Sequence, residues 1–579
     1  MAKKTARRAP ELLLKTATLA LAAFLSATAA LADEAAVPVD LAWDGPRLIV
    51  ALRDARALAI VDPETWAEVD RRPLGFRPAS VAVDGLTTWV GGLDGQAVMI
   101  RGGKTSALPP GLGPTRVLAL GDGRAAVASR WDETVRVVDA VGTVEATHRL
   151  GFPVGAIVLA PGGRIVAADA FGGGLAEIKP GRVGSERFLS LPGVNLRGLA
   201  VGEGRELLVA HMAQSSTTPI NQTSIDWGLV ISSKVSALRL AEFGARGRGP
   251  NVRRLTLDGS GHGAADPSGI AATADGTRVV VAVAGSHQLL WIDRSIGSRA
   301  NVDLLPLGDS QKIRDVSVGR SPVAVVLNAS GTLAITADAM GDTLSVVSMD
   351  ELKVVATVKL GPGASAGTAT QRGEASFRDA NLAMDRWMSC ASCHAEGHTN
   401  GLNFDTAGDG NYGSPKNTPT LLGTAGTAPF AWTGRFARVE EQVAESLANS
   451  LVGPGADDSR VVEIAAYLNG LQAPPPKRPA DDPSAGRGSA VFASQGCASC
   501  HAPPSYTSPK VRDVGLDDGQ GGHRKFNPPS LRGVSRTAPY LHDGRAKTLA
   551  DVLKTHNPAG VEAVSEHDQA DLAAFLESL

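Results

Sequence analysis

The chain has 579 residues, more than one hydrophobic core can serve, so about two to four domains are expected. With 43% apolar and 20% charged residues and a net charge of −2, it reads as a globular protein. That near-neutral balance gives no reason to expect nucleic acid or an anionic membrane as partner.

Residues 1–32 have the form of a secretory signal peptide. Lys3, Lys4, Arg7 and Arg8 make a basic start, no charge falls between Thr16 and Ala32, and Ala30-Leu31-Ala32 is a small-x-small cleavage pattern. Cleavage before Asp33 leaves no membrane span in the mature chain, which points to a periplasmic location. The alternative is an uncleaved anchor, for which the uncharged run is marginally short.

From 37 to 360 the sequence repeats a phrase: a proline or its equivalent, an alternating apolar strand, a glycine turn and a second strand. The phrase begins at Pro38, Pro78, Pro114, Pro153, Leu196, Pro267 and Pro322, and the turn glycines are Gly45, Gly85, Gly123, Gly163, Gly204, Gly276 and Gly331. The first four intervals lie near the ~40–45-residue period of four-stranded propeller blades. Seven copies predict an all-β seven-bladed propeller, resembling the YVTN-type repeats of exported bacterial proteins; a sandwich or a solenoid is the alternative. The two longer intervals predict insertions, as loops on one face, over Ala213–Arg254 and Ile296–Val318.

A Gly/Ala/Thr-rich linker at 361–370 ends the repeats, and a Pro-rich linker at 473–485 splits the remainder into two mostly α-helical cytochrome c domains, 371–472 and 486–579. The halves are copies. Asn417-Thr-Pro-Thr-Leu-Leu-Gly423, Thr427-Ala-Pro-Phe430 and Gly434-Arg435 recur 110 residues later as Asn527 to Gly533, Thr537-Ala-Pro-Tyr540 and Gly544-Arg545. Each copy closes on an amphipathic helix, with Ile464, Tyr467, Leu468, Leu471 in one and Leu572, Phe575, Leu576, Leu579 in the other.

The four cysteines form two CxxCH motifs, Cys390-Ala-Ser-Cys393-His394 and Cys497-Ala-Ser-Cys500-His501. Two thiols at this spacing bond the vinyl groups of one porphyrin, and the adjacent histidine lies beneath the iron. Two covalently attached haem c groups are therefore expected, with His394 and His501 as proximal ligands and no cysteine left for a disulfide. A zinc site spanning both motifs would need a loop far longer than zinc ribbons use. The seven methionines (Met1, Met99, Met212, Met340, Met349, Met384, Met388) all precede the first motif, so neither copy offers the common downstream methionine ligand.

Arg372-Gly373, Phe377-Arg-Asp379, Leu382 and Met388-Ser-Cys-Ala-Ser-Cys-His394, with Asn527 to Leu549, resemble the bacterial di-haem cytochrome c peroxidases. The same superfamily includes the di-haem enzyme that matures methylamine dehydrogenase. The resemblance implies His556 as sixth ligand of the second haem, giving a low-spin relay. Its counterpart in the first copy is Ser446, not a haem ligand, and Asp409-Gly410-Asn411 stands where the peroxidases carry a switchable histidine. The first haem is then open. Trp432 matches the tryptophan between the haems and Gln442 a distal glutamine; Asn417, Thr537 and Pro539 match ligands of an inter-haem calcium ion. The family's catalytic glutamate has no aligned match, leaving Glu445 or Glu441 as substitutes. His398 either approaches an iron or lies at the surface. An oxidoreductase acting on peroxide or on a protein or small-molecule substrate, with a partner protein that donates or accepts electrons, is implied; the rival is a non-enzymatic electron carrier with the propeller as docking platform. The motifs themselves are identical, so the expected difference between them lies at Ser446 and His556.

Overall fold

The computed structural model describes residues 35–202, 206–244, 250–259, 261–294, 313–517, 522–555 and 564–579. The expected leader therefore lies outside the described residues, as do Gly204 and His556.

Seven four-stranded antiparallel sheets form blades 1 to 7, spanning 38–73, 78–107, 115–149, 154–190, 194–256, 267–317 and 322–359. Each phrase found in the sequence becomes the innermost strand of its blade. These strands follow one another around a closed ring, the seventh lying against the first. The six described turn glycines all have positive φ, Gly45 at 56° for example, which a side chain would strain. The cores lie between sheets. Leu48, Val50, Ala59 and Val61 of blade 1 interleave with Ile335, Ala337, Leu344 and Val346 of blade 7.

Every blade uses four consecutive strands, so no shared sheet closes the ring. Side chains do so instead: Asp342 accepts from Ala36 N (3.0 Å) and Val37 N (2.7 Å), and Arg71 donates to the Leu360 carbonyl (2.8 Å).

The expected insertions need correction. Within 213–254, Ile231–Arg239 and Val252–Thr256 are ordinary strands of blade 5. The true insertion at this end of the blade is the excursion 215–230, carrying the short helix α1 (Gln222–Asp226). Of Ile296–Val318, Ile313–Ser317 is the outer strand of blade 6, and 296–312 lies outside the described residues. The outer strands Val252–Thr256 and Ile313–Ser317 have one wet face and leave a weak alternation, whereas Ile231–Arg239 is a mostly buried third strand whose serines and lysine mask its pattern.

The C-terminal region is built twice on one plan. Helix α2 (Ala369–Phe377) crosses α5 (Asp458–Gly470), and α6 (Pro483–Ser494) crosses α8 (Glu566–Glu577), which follows the short α7 (Leu549–Thr555). At each crossing a glycine permits contact. A Cβ on Gly373 would fall on the Glu463 carbonyl, and one on Gly488 on the Asp571 carbonyl. The neighbouring arginines repeat too, Arg372 pairing with Glu463 (2.5 Å) and Arg487 with Asp571 (2.6 Å). Among the described residues no helix is long and apolar enough to cross a membrane.

The first copy sits on one face of the propeller. Glu374, on α2, is gripped by both ends of the Arg53 guanidinium (2.8 and 2.7 Å) and by Arg378 (3.2 Å). Arg320 and His287 reach Asp379 (3.3 and 3.4 Å). The excursion 215–230 adds an apolar contact, with Ile220, Ile225, Val230 and Ile231 sharing a core with Trp387 and Phe404. Burial pushes the Glu374 carboxyl up, but Arg53 and Arg378 outweigh it and hold it at about 2, below its ordinary 4.5. A depressed carboxyl contributes stability above its unfolded value and loses it as pH falls through the folded one. That contribution is on the order of 3 kcal/mol. Docking of the two parts should therefore weaken between pH 4.5 and 2. Arg53→Met should move that acid transition upward, followed by limited proteolysis across 361–370.

Candidate functional site

Each CxxCH motif forms one tight turn. Cys390–Cys393 is the short helix α3, and Cys497–Ser499 a 3-10 turn. In both, the histidine N–H donates to the carbonyl of the first cysteine at 2.9 Å, so thiols and imidazole share one turn. Burial pushes the Cys390 thiol up to about 12 and the Cys393 thiol up as well, so both are held protonated. Burial also pushes the His394 imidazole down to about 4 and lowers His501, leaving neutral rings able to offer a lone pair. The His501 Nδ1 meets the Tyr506 carbonyl at 3.0 Å, and the His394 and His501 imidazoles interact with the Pro419 and Pro529 backbone, equivalent positions of the two copies.

Half-buried apolar side chains stand beside each turn. Leu402, Leu421 and Phe430 accompany Cys390 and Cys393; Tyr506, Leu531, Tyr540, Leu549 and Leu553 accompany Cys497. Paired thiols, a neutral imidazole and an apolar wall fit a covalently attached haem c.

Helix α4 (Val439–Glu445) supplies the expected distal residues. Val439, Val443 and Leu447 face the core, while Gln442 and Ser446 flank that face, the Gln442 amide donating to Ser446 Oγ (3.1 Å). Glu445 lies further round, 3.8 Å from Arg435. Glu441 is exposed and caps its own helix, accepting from Ala437 N (3.0 Å), which occupies it structurally. The 399–470 stretch contains neither His nor Met.

The seam between the copies is a reciprocal clasp. Asn417 N donates to the His542 carbonyl (2.7 Å) and its side-chain amide to the Pro539 carbonyl (2.6 Å). Asn527 does the same to Trp432 (2.7 Å) and Pro429 (2.5 Å). Trp432 is half-buried at this seam, its indole N–H on the Asn417 carbonyl (2.8 Å). The repeat offset makes His542 the counterpart of Trp432, a match legible in the sequence but overlooked; it stacks on Phe526 at 4.1 Å. Asn417 Oδ1 is buried without a partner, as a cation ligand would be, while the Thr537 hydroxyl is used by the Val534 carbonyl (3.0 Å).

His398 is not at the surface. It packs edge-on against Trp131 and Phe171, and its two nitrogens meet Thr420 Oγ1 (2.9 Å) and the Arg536 carbonyl (3.0 Å). With both nitrogens engaged it joins propeller, first copy and second copy rather than serving an iron.

The motifs are also less alike than their sequences. Ala391 and Ser392 are fully buried beneath the propeller, whereas Ala498 and Ser499 are exposed.

A family model described as di-haem cytochrome c peroxidase matches residues 368–469. Methylamine utilization protein MauG of Methylorubrum extorquens is 28% identical over 271 residues, 36% of this chain and 76% of that protein. Cytochrome-c peroxidase IdrP1 of a Pseudomonas species is 24% identical over 306 residues, 36% of this chain and 79% of that protein. A chain of Kuenenia stuttgartiensis hydrazine synthase, 18% identical, covers 54% of this chain and 96% of its own length, with a TM-score of 0.48. Residues 368–469 thus form a di-haem cytochrome c peroxidase domain, and the C-terminal region as a whole is similar to MauG and the cytochrome-c peroxidases, behind an N-terminal seven-bladed β-propeller.

Proposed function

We propose that the chain is an exported peroxidase-like oxidoreductase, with a haem at the first motif whose sixth position is open and a haem at the second that relays electrons to or from a partner protein. The observation that carries this reading is the distal helix of the first copy. Its ligand position is Ser446, and the stretch following His398 offers neither His nor Met. Bound haem would supply an iron that accepts peroxide at a free position and holds oxidising equivalents.

The chain's own residues do the rest. Gln442, on the edge of the buried face of α4, is placed to orient a bound oxygen by its amide, and Glu445 to carry a proton at its carboxylate. Trp432, hydrogen-bonded to Asn417 of its own copy and to Asn527 of the other, stands at the seam and carries electrons between the haems in this reading. His556 is the sixth ligand of the relay in this reading. A calcium ion at the seam would be held by Asn417 Oδ1 with backbone oxygens of Thr537 and Pro539; the unpartnered Asn417 oxygen supports it, and the Pro539 carbonyl would exchange the Asn417 amide for the ion. Residues 1–32 supply the export signal for the periplasm.

Electron paramagnetic resonance of the oxidised full chain tests the reading. One high-spin and one low-spin ferric signal are expected, and His556→Ala should convert the low-spin one. Two low-spin signals in the unaltered protein would make it an electron carrier instead.

A further inference from the structure

Asp266 stands immediately before the innermost strand of blade 6, at φ 61°, and is 2% exposed. Its carboxylate accepts from Ser389 Oγ (2.5 Å) and Ser392 Oγ (3.0 Å), the residues that cap and complete the first CxxCH turn. A hydroxyl has one proton, and here both protons go to Asp266. The oxygens keep their lone pairs for the backbone, Ser389 Oγ accepting from Ala391 N (3.1 Å) and Ser392 Oγ from Ser389 N (2.9 Å).

Other propeller side chains hold the carbonyls of the same turn. Asn195 donates to the Ser392 carbonyl (2.8 Å), Gln214 to the same oxygen (3.2 Å), and Arg197 to the Ala391 carbonyl (3.0 Å). The Arg197 guanidinium lies 3.9 Å from Asp266. Among the described residues the second motif has no such support. Gly496 stands where Ser389 does, and the Ser499 hydroxyl is exposed, with only Cys500 Sγ beside it at 3.8 Å.

We propose that Asp266 is a positioning residue for the first haem: through Ser389 and Ser392 it fixes the turn that carries Cys390, Cys393 and His394. It also sets a buried negative charge on the proximal side that the second motif lacks. The propeller thereby gives two identical motifs different reduction potentials. A negative charge in a low-dielectric site favours the more positive, oxidised iron and lowers its potential. Arg197 offsets part of this, and removing the carboxylate leaves Arg197 alone, which raises the potential further. The proposal rests on haem attachment at His394.

The test is a potentiometric titration of the full chain and of Asp266→Asn, followed by absorbance and electron paramagnetic resonance, with haem counted by pyridine haemochrome. Asparagine keeps the volume and one acceptor oxygen. The first potential should rise and its resonance should shift or broaden, while the second haem, the internal control, keeps both. Ser392→Ala removes one hydroxyl without changing charge and should broaden the first signal with a smaller change in potential. Two haems with an unmoved first potential in Asp266→Asn would overturn the proposal, even if the variant melts earlier. A count showing no haem at the first motif would overturn it together with the functional reading.

Discussion

Gly373→Ala should unseat the first cytochrome copy. The added methyl would meet the Glu463 carbonyl, with Tyr467 Cβ at 3.0 Å, and neither is the movable end of a side chain. Helix propensity gains about 1 kcal/mol from such a change, whereas overpacking against backbone costs about 3 kcal/mol. The net loss is about 2 kcal/mol. Because α2 also carries Glu374, parting α2 from α5 pulls on the Arg53 grip, so the loss reaches the propeller contact. Gly488→Ala should cost as much at the α6–α8 crossing, where the methyl meets the Asp571 carbonyl and Phe575 Cβ at 2.8 Å, but confined to the second copy. Gly486→Ala is the control. It lies in α6 with nothing within 4 Å, so only the propensity gain remains and the sign reverses. Chemical denaturation followed by haem absorbance separates the three.

Ser446→His should close the first site. Ser446 ends α4 with helical φ and ψ (−65°, −39°), and its hydroxyl already touches the Gln442 amide. An imidazole there stands at the position that the internal repeat assigns to His556. The high-spin ferric signal should disappear in favour of a second low-spin one, and peroxide turnover should fall to the level of the haem-free chain. Retention of the high-spin signal would show that residue 446 does not face the iron and would remove the basis for the open site.

The predictions differ in how much of their basis was legible beforehand. Blade phrases at Pro38, Pro78 and Pro322 are legible because a proline start and an apolar alternation recur, each followed by a second strand that is buried almost throughout and therefore apolar, such as Arg47–Leu52 and Leu333–Asp338. Outer strands such as Ile313–Ser317, with the pattern half-buried, exposed, exposed, buried, exposed, leave a fainter trace and read as insertion. The repeat offset paired Asn417 with Asn527 and also contains the pairing of Trp432 with His542, which was overlooked. It did not show that each asparagine reaches into the other copy, because a one-dimensional repeat carries no information on which copies touch.

His398 teaches the same lesson. Its neighbours in sequence are Gly397 and Thr399, and its neighbours in space are Trp131, Phe171 and Arg536. A histidine with only Thr420 near it in sequence, and its other three partners more than a hundred residues away, cannot be assigned by spacing.

The sequence alone determined the local chemistry: seven apolar inner strands, two turns able to hold haem, and a duplicated frame around them. Each depends on residues within a few positions of one another, where spacing and geometry are the same thing. Only the tertiary structure decided that the motifs are unequal on their proximal side. Asp266, Asn195 and Arg197 stand 123 or more residues from the serines and carbonyls they hold. The closed ring of blades brings two segments, the first strand of blade 5 and the residue before blade 6, to one face, and long-range order of that kind is a property of packing rather than of any stretch of the chain.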